Sequence, residues 1–75
     1  MSAPHLKLLE WRTDGTAVIQ IEGEPGPQFA LEASDVLATW ATLTTETIPV
    51  SGRLTYEDAG AAGQVGRFYR SRVIP

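Results

Sequence analysis

The sequence predicts an all-β fold, a small antiparallel β-sandwich of about six strands. Three observations carry this expectation. Apolar and polar residues alternate along most short segments, the period of a half-buried strand. Turn residues, such as Asp14-Gly15, Pro25-Gly26 and the stretch from Pro49 to Gly52, recur at short intervals. No segment sustains a convincing helical spacing. The one competitor, residues 31–43, contains Thr39 and Thr42 and runs into Thr44 and Thr45, which are poor helix formers. Frequent strands without a long helix indicate a sandwich or small barrel.

Each element follows in order. Residues 6–12 read as the first strand. Asp14-Gly15 predicts a tight hairpin, since both residues tolerate positive φ. Residues 16–22 return, with Ala17, Ile19 and Ile21 facing the core and Val18, Gln20 and Glu22 facing out. Glu24-Pro25-Gly26-Pro27 puts proline and glycine where a type II turn wants them. Residues 28–34 form a third strand with Phe29, Leu31 and Ala33 inward. Ser34-Asp35 begins a turn or a single helical turn through Leu37. Residues 40–45 form a fourth strand, rich in threonine. Residues 49–52 break the chain again. Residues 53–57 form a fifth strand, with Leu54 and Tyr56 on one face. Residues 58–66 are a loop rich in glycine and alanine, and residues 67–74 the sixth strand. There is no repeat, low-complexity tract or linker, so residues 1–75 form one module.

Composition narrows the function. A chain of 75 residues suits a single domain. Its core is thin, because so short a chain buries only about 60% of its unfolded surface. The lack of cysteine excludes disulfides and thiolate metal sites and leaves the redox compartment open. A net charge of −3 disfavours a nucleic-acid partner. No apolar run approaches the ~20 residues that span a bilayer, so no membrane partner is expected. Residues 1–5 lack the apolar stretch of a signal peptide, and the signal of a secreted parent is expected outside this chain. Arg67, Arg70 and Arg72 cluster on the last predicted strand. They could favour an acidic partner. The plainer reading is a solvated face with cross-strand ion pairs.

Catalysis finds little support. His5 is the only histidine and lies at the terminus. Glu57 and Asp58 are adjacent, so on a strand they point to opposite faces. A non-enzyme is expected. Asp58 and its loop carbonyls could partly supply a structural calcium site, but no EF-hand spacing occurs, and no cofactor is expected. Gly60, Gly63 and Gly66 lack the lysine and helix of a phosphate loop.

Two stretches carry a family resemblance: Leu31-Glu-Ala-Ser-Asp-Val-Leu-Ala-Thr-Trp40-Ala-Thr-Leu43, and Arg67-Phe-Tyr-Arg-Ser-Arg-Val-Ile-Pro75. Together they resemble a short fibronectin type III-like sandwich module found toward the C-terminal ends of large secreted bacterial proteins. The resemblance covers residues 23–75. It implies an extracellular location and sets residues 29–34 beside strand C, 40–43 beside C′, 53–58 beside E and 68–73 beside F. Two departures stand out. The family's threonine is missing from the segment that here reads Ser34-Asp35-Val36-Leu37, and Ser71 stands where an apolar strand residue is usual. With nothing after Pro75 to supply a final strand, an open sheet edge is expected, and homodimerisation through it is a reasonable expectation.

The aromatic residues are the candidates for a site. A sugar ring has an apolar face of C–H groups that a flat side chain can stack on, at small entropic cost to the protein. By analogy with modules attached to polysaccharide-degrading enzymes, the expected function is non-catalytic carbohydrate binding, with a β-linked polysaccharide such as a β-glucan or xyloglucan as ligand. Trp11 and Trp40 would be the stacking pair, with Tyr56 or Tyr69 in support. Trp11 lies at a strand end beside Glu10 and Arg12, and its alternative role is capping the sandwich edge. For Trp40 the resemblance favours packing. Tyr56 and Tyr69 face inward by alternation, Phe68 outward, and Phe29 into the core. Polar helpers would come from Gln20, Glu22, Gln28, Glu32, Arg53, Gln64 and Arg70, none of them marked by spacing. The alternative function is a structural spacer or protein-docking module of a large secreted protein, its arginine face against a neighbouring domain. A neighbouring catalytic domain in a parent protein is the expected partner in either case.

Overall fold

The alternating segments form six strands: β1 (His5–Trp11), β2 (Ala17–Glu22), β3 (Gln28–Ser34), β4 (Ala41–Thr47), β5 (Arg53–Asp58) and β6 (Phe68–Ile74). The computed structural model describes residues 3–62 and 66–75. The strands make two antiparallel sheets, ordered β1-β2-β5 and β4-β3-β6. This is a small β-sandwich. Ile19 and Ile21 of the first central strand meet Phe29 and Leu31 of the second, and Ile48 closes the core. Leu6, Leu43, Leu54, Tyr56 and Tyr69 pack around them, partly buried. The smallest extent across the Cα atoms is 14 Å. Sheets packed ~10 Å apart leave room for one layer of side chains. Each side chain in that layer therefore matters; burying one as large as Phe29 contributes about 2–3 kcal/mol.

The predicted alternation holds for Ala17, Ile19, Ile21, Phe29, Leu31 and Ala33, all of which are buried. Ile48 is a core residue outside any strand. It sits in the β4–β5 crossover, where its carbonyl accepts from Gly26 at 3.1 Å and its N–H donates to Pro27 at 3.2 Å. Gly23 donates to Gly52 at 2.9 Å beside it. The β2–β3 and β4–β5 crossovers are thus tied together.

Several local expectations change. The β1–β2 hairpin is not a two-residue turn. Gly15 donates to Arg12 and Arg12 donates to Thr16, each at 2.9 Å, closing a three-residue loop. Only Gly15 takes positive φ, at 91°. This is the geometry of a turn followed by a left-handed glycine. Asp14 stays at negative φ, and its carboxylate accepts from the Thr16 N–H at 2.9 Å. That bond holds the Asp14 carboxyl below its usual range. No helical turn forms after Ser34. Its hydroxyl oxygen accepts from the N–H groups of Val36 and Leu37, and Leu37 takes φ 65°. The fourth strand runs later than expected, through Thr47, and leaves Trp40 just before it. The fifth strand runs on to Asp58, and a 3-10 turn follows at Ala59–Ala61.

Val18 lies on the outer face as expected, yet it is buried. Its register neighbours are Glu10 and Glu57, and Arg12 binds both, at 3.6 and 2.8 Å. Arg12 thus bridges the two acids that flank Val18 in the register. Ser71 faces inward despite its polarity, paired with Leu31. Its hydroxyl donates to the Pro4 carbonyl, linking β6 to the lead-in of β1 in the other sheet.

Candidate binding face

The two sheets present their outer faces differently. On the β4-β3-β6 sheet the register places Glu32 of β3 between Thr42 of β4 and Arg70 of β6. The next row holds Ala30 between Thr45 and Arg72, and the row beyond it Gln28 between Thr47 and Ile74. Phe68 pairs with Ser34 at the opposite end and is exposed. All these side chains point away from the core, because Phe29, Leu31 and Ala33 alternate inward.

Glu32 organises this face. Its side chain is only 7% exposed, although it lies on the solvent side of the sheet. One carboxylate oxygen accepts from Arg70 Nε at 2.7 Å. The other accepts from Arg72 Nε and from the Thr42 hydroxyl, each at 3.4 Å. The Arg70 bond holds the Glu32 carboxyl below the usual range; burial opposes it and the two arginine charges reinforce it. Both arginine side chains stay about half exposed, at 48% and 53%. Trp40 completes the face. The Arg70 guanidinium carbon lies 4.2 Å from the Trp40 ring centroid. The arginine is thereby held between a carboxylate and an indole, a charge pair and a cation–π contact on the same group.

A second polar cluster sits at the end of the sandwich. Asp58 is buried at the end of β5. Its Oδ1 accepts from the Gly60 N–H at 3.1 Å. Its Oδ2 accepts from Arg67 Nε and from the Tyr69 hydroxyl, each at 2.7 Å. Arg67 also reaches Asp35 at 3.1 Å. It precedes β6 and faces this cluster, so the expected row of three arginines on one strand is a pair, Arg70 and Arg72, plus an internal cross-link. Burial and the Asp58 bond push the Tyr69 phenol up to about 12. Asp58, the residue considered for calcium, thus has both oxygens engaged and a guanidinium where a cation would stand. Among the described residues no three histidine or carboxylate groups converge on a common point.

The four aromatic candidates do not form one strip. Trp11 ends β1, an edge strand, and is 48% exposed beside Leu8 and Leu9, which are also exposed. Trp40 lies just before β4 of the other sheet, partly buried under Arg70. Tyr56 and Tyr69 pack against the core. Of the polar helpers, Gln28, Glu32 and Arg70 share the face of Trp40, while Gln20, Glu22 and Arg53 lie in rows of the β1-β2-β5 sheet. Gln64 lies outside the described residues, as does Gly63. The described surface holds no pocket.

No family model, curated protein or solved structure matches this chain. The residues alone must carry the functional reading. Thr42 was not singled out by sequence reasoning, and Arg72 only within the arginine cluster expected to make cross-strand ion pairs, as it does with Glu32. The signal for them was an acid on one strand, Glu32, facing an Arg-x-Arg pair on another, and it becomes legible only once the register is fixed.

Proposed function

We propose that this chain is a non-catalytic binding module that holds a polysaccharide along the outer face of its β4-β3-β6 sheet. The observation that carries the reading is the ordered set of Trp40, Arg70, Arg72 and Glu32 on an open surface lined by Thr42, Thr45, Thr47 and Gln28. An extended polymer needs an open strip rather than a pocket, and these groups offer hydroxyl, amide and guanidinium partners next to an indole. The grouping of β3, β4 and β6 in one sheet, with β5 in the other, is in keeping with the fibronectin III-like resemblance of the sequence, and a secreted, accessory role is part of the same proposal. Affinity is modest, about micromolar to millimolar, because a shallow strip buries little area.

Affinity electrophoresis in gels containing xyloglucan, mixed-linkage β-glucan, xylan or polygalacturonate tests this. Trp40→Ala abolishes retardation and Trp11→Ala leaves it. The reverse pattern moves the site to β1 and overturns the sheet-face reading.

A second reading draws on a different observation. Leu8, Leu9 and Trp11 form an exposed apolar run on an edge strand. Antiparallel pairing of β1 with β1 of a second copy, centred between Leu8 and Leu9, sets Lys7 opposite Glu10 of that copy. This would be the docking function, with a homodimer as its product. A dimeric mass in light scattering that becomes monomeric in Leu9→Lys supports it. A monomeric mass at high concentration removes it.

A further inference from the structure

The outer face of the β4-β3-β6 sheet carries a charge that the rest of the chain does not. Arg70 and Arg72 face the single carboxylate of Glu32, so the local sum is +1 on a molecule of net charge −3. The way this charge is held is specific. Both arginines spend their Nε–H on Glu32. The bonds to Glu32 run through Nε of each arginine, and both side chains are about half exposed. Arg70 is also fixed against Trp40. Two guanidinium groups set in place by an internal carboxylate are preorganised for a second, external one. Arginine presents paired donors that match a carboxylate in a planar, two-bond geometry.

We infer that the polymer bound on this face is an acidic glycan, and that Arg70 and Arg72 together grip a uronate carboxylate. The inference rests on the polysaccharide reading above and names its ligand class. The surroundings favour a glycan over an acidic peptide. The threonine hydroxyls of Thr42 and Thr45 and the amide of Gln28 line the rows beside the arginines. Hydroxyl and amide groups suit a polyhydroxylated chain.

The test uses the whole chain and four probes: polygalacturonate, the same polymer as its full methyl ester, xyloglucan, and polyglutamate. Dissociation constants are measured by affinity electrophoresis at low and high salt. Polygalacturonate is expected to bind with an affinity that falls as salt rises, and its methyl ester to bind several-fold more weakly. Arg72→Gln, whose contact with Glu32 is the longer one, is expected to lose about tenfold in affinity for polygalacturonate, the loss typical of one charge-assisted bond. Arg70→Lys keeps the charge but loses the fork and is expected to lose less. Circular dichroism confirms that both variants fold. Equal binding of the acid and its ester, or an unchanged constant in a folded Arg72→Gln, overturns the uronate inference and leaves the polysaccharide reading standing. Retention of no glycan at all overturns both. Polyglutamate binding as tight as polygalacturonate, with the same Arg72 dependence, overturns the glycan assignment in favour of an acidic peptide.

Discussion

The Tyr69 hydroxyl donates to Asp58 Oδ2 at 2.7 Å, joining β6 of one sheet to the end of β5 in the other. Arg67 binds the same oxygen at 2.7 Å. Asp58 therefore acts as a polar rivet between the sheets of a sandwich with a single core layer. Its removal leaves Arg67, a side chain only 12% exposed, with Asp35 as its ion-pair partner. Tyr69→Phe removes one hydrogen bond and is expected to cost about 1 kcal/mol. Asp58→Ala breaks a buried pair and is expected to cost about 3 kcal/mol or more. Urea unfolding of the two variants checks the order. Equal losses would show that the charge pair adds nothing beyond the phenol bond.

The same contact sets a pH limit. The Tyr69 phenol is raised to about 12, by burial first and by the Asp58 bond second. In the unfolded chain it ionises near its ordinary value of 10.0. Between these values the unfolded state has lost a proton that the folded state keeps, so stability falls as pH rises. The contribution is full below pH 10 and is lost as pH climbs toward 12. Ultraviolet titration of tyrosinate should show a late-ionising phenol in wild type that is lost in Tyr69→Phe. A Tyr69 that titrates near 10 would contradict the buried bond.

The tryptophans are expected to report two environments. Trp11 is 48% exposed on an edge strand. Trp40 has a guanidinium on its ring. In Trp40→Phe the remaining Trp11 should emit at long wavelength and be quenched readily by acrylamide. In Trp11→Phe the remaining Trp40 should be better protected. Adding Arg70→Ala to the latter should raise its quenching toward that of Trp11. No change on removing Arg70 would mean that the arginine does not cover the ring.

How far the sequence was legible follows from the range of each interaction. Alternation located the core strands because Ile19, Ile21, Phe29 and Leu31 repeat with the period of the pleat. Ile48 escaped because it lies in a crossover, where no period exists. Val18 reads as solvent-facing from alternation alone, yet it is buried, in a row whose Glu57 is bound by Arg12 from 45 residues away. The binding face was half visible. The Arg70-x-Arg72 pair and Glu32 stand in the sequence, but they are 38 and 40 residues apart and meet only through the β3–β6 register. Ser71, an apparent misfit, is explained by its bond to Pro4, 67 residues away.

Two left-handed backbone positions make opposite predictions. Gly15 takes φ 91° in the β1–β2 hairpin, and a Cβ built there would lie 2.7 Å from Ala62. Gly15→Ala therefore meets both backbone strain and a backbone clash with the segment after the 3-10 turn. A loss of about 2 kcal/mol or more is expected, since the neighbour cannot yield without shifting its chain. Leu37 takes φ 65° with an exposed side chain. There a Cβ is a cost, about 1–2 kcal/mol for a side chain held left-handed. Leu37→Gly removes that cost and gives back part of it through the larger entropy of the unfolded glycine. A net gain of about 0.5–1 kcal/mol is expected. Thermal or urea unfolding of the two variants decides the matter. A destabilised Leu37→Gly would show that the leucine side chain, though exposed, holds the turn between β3 and β4.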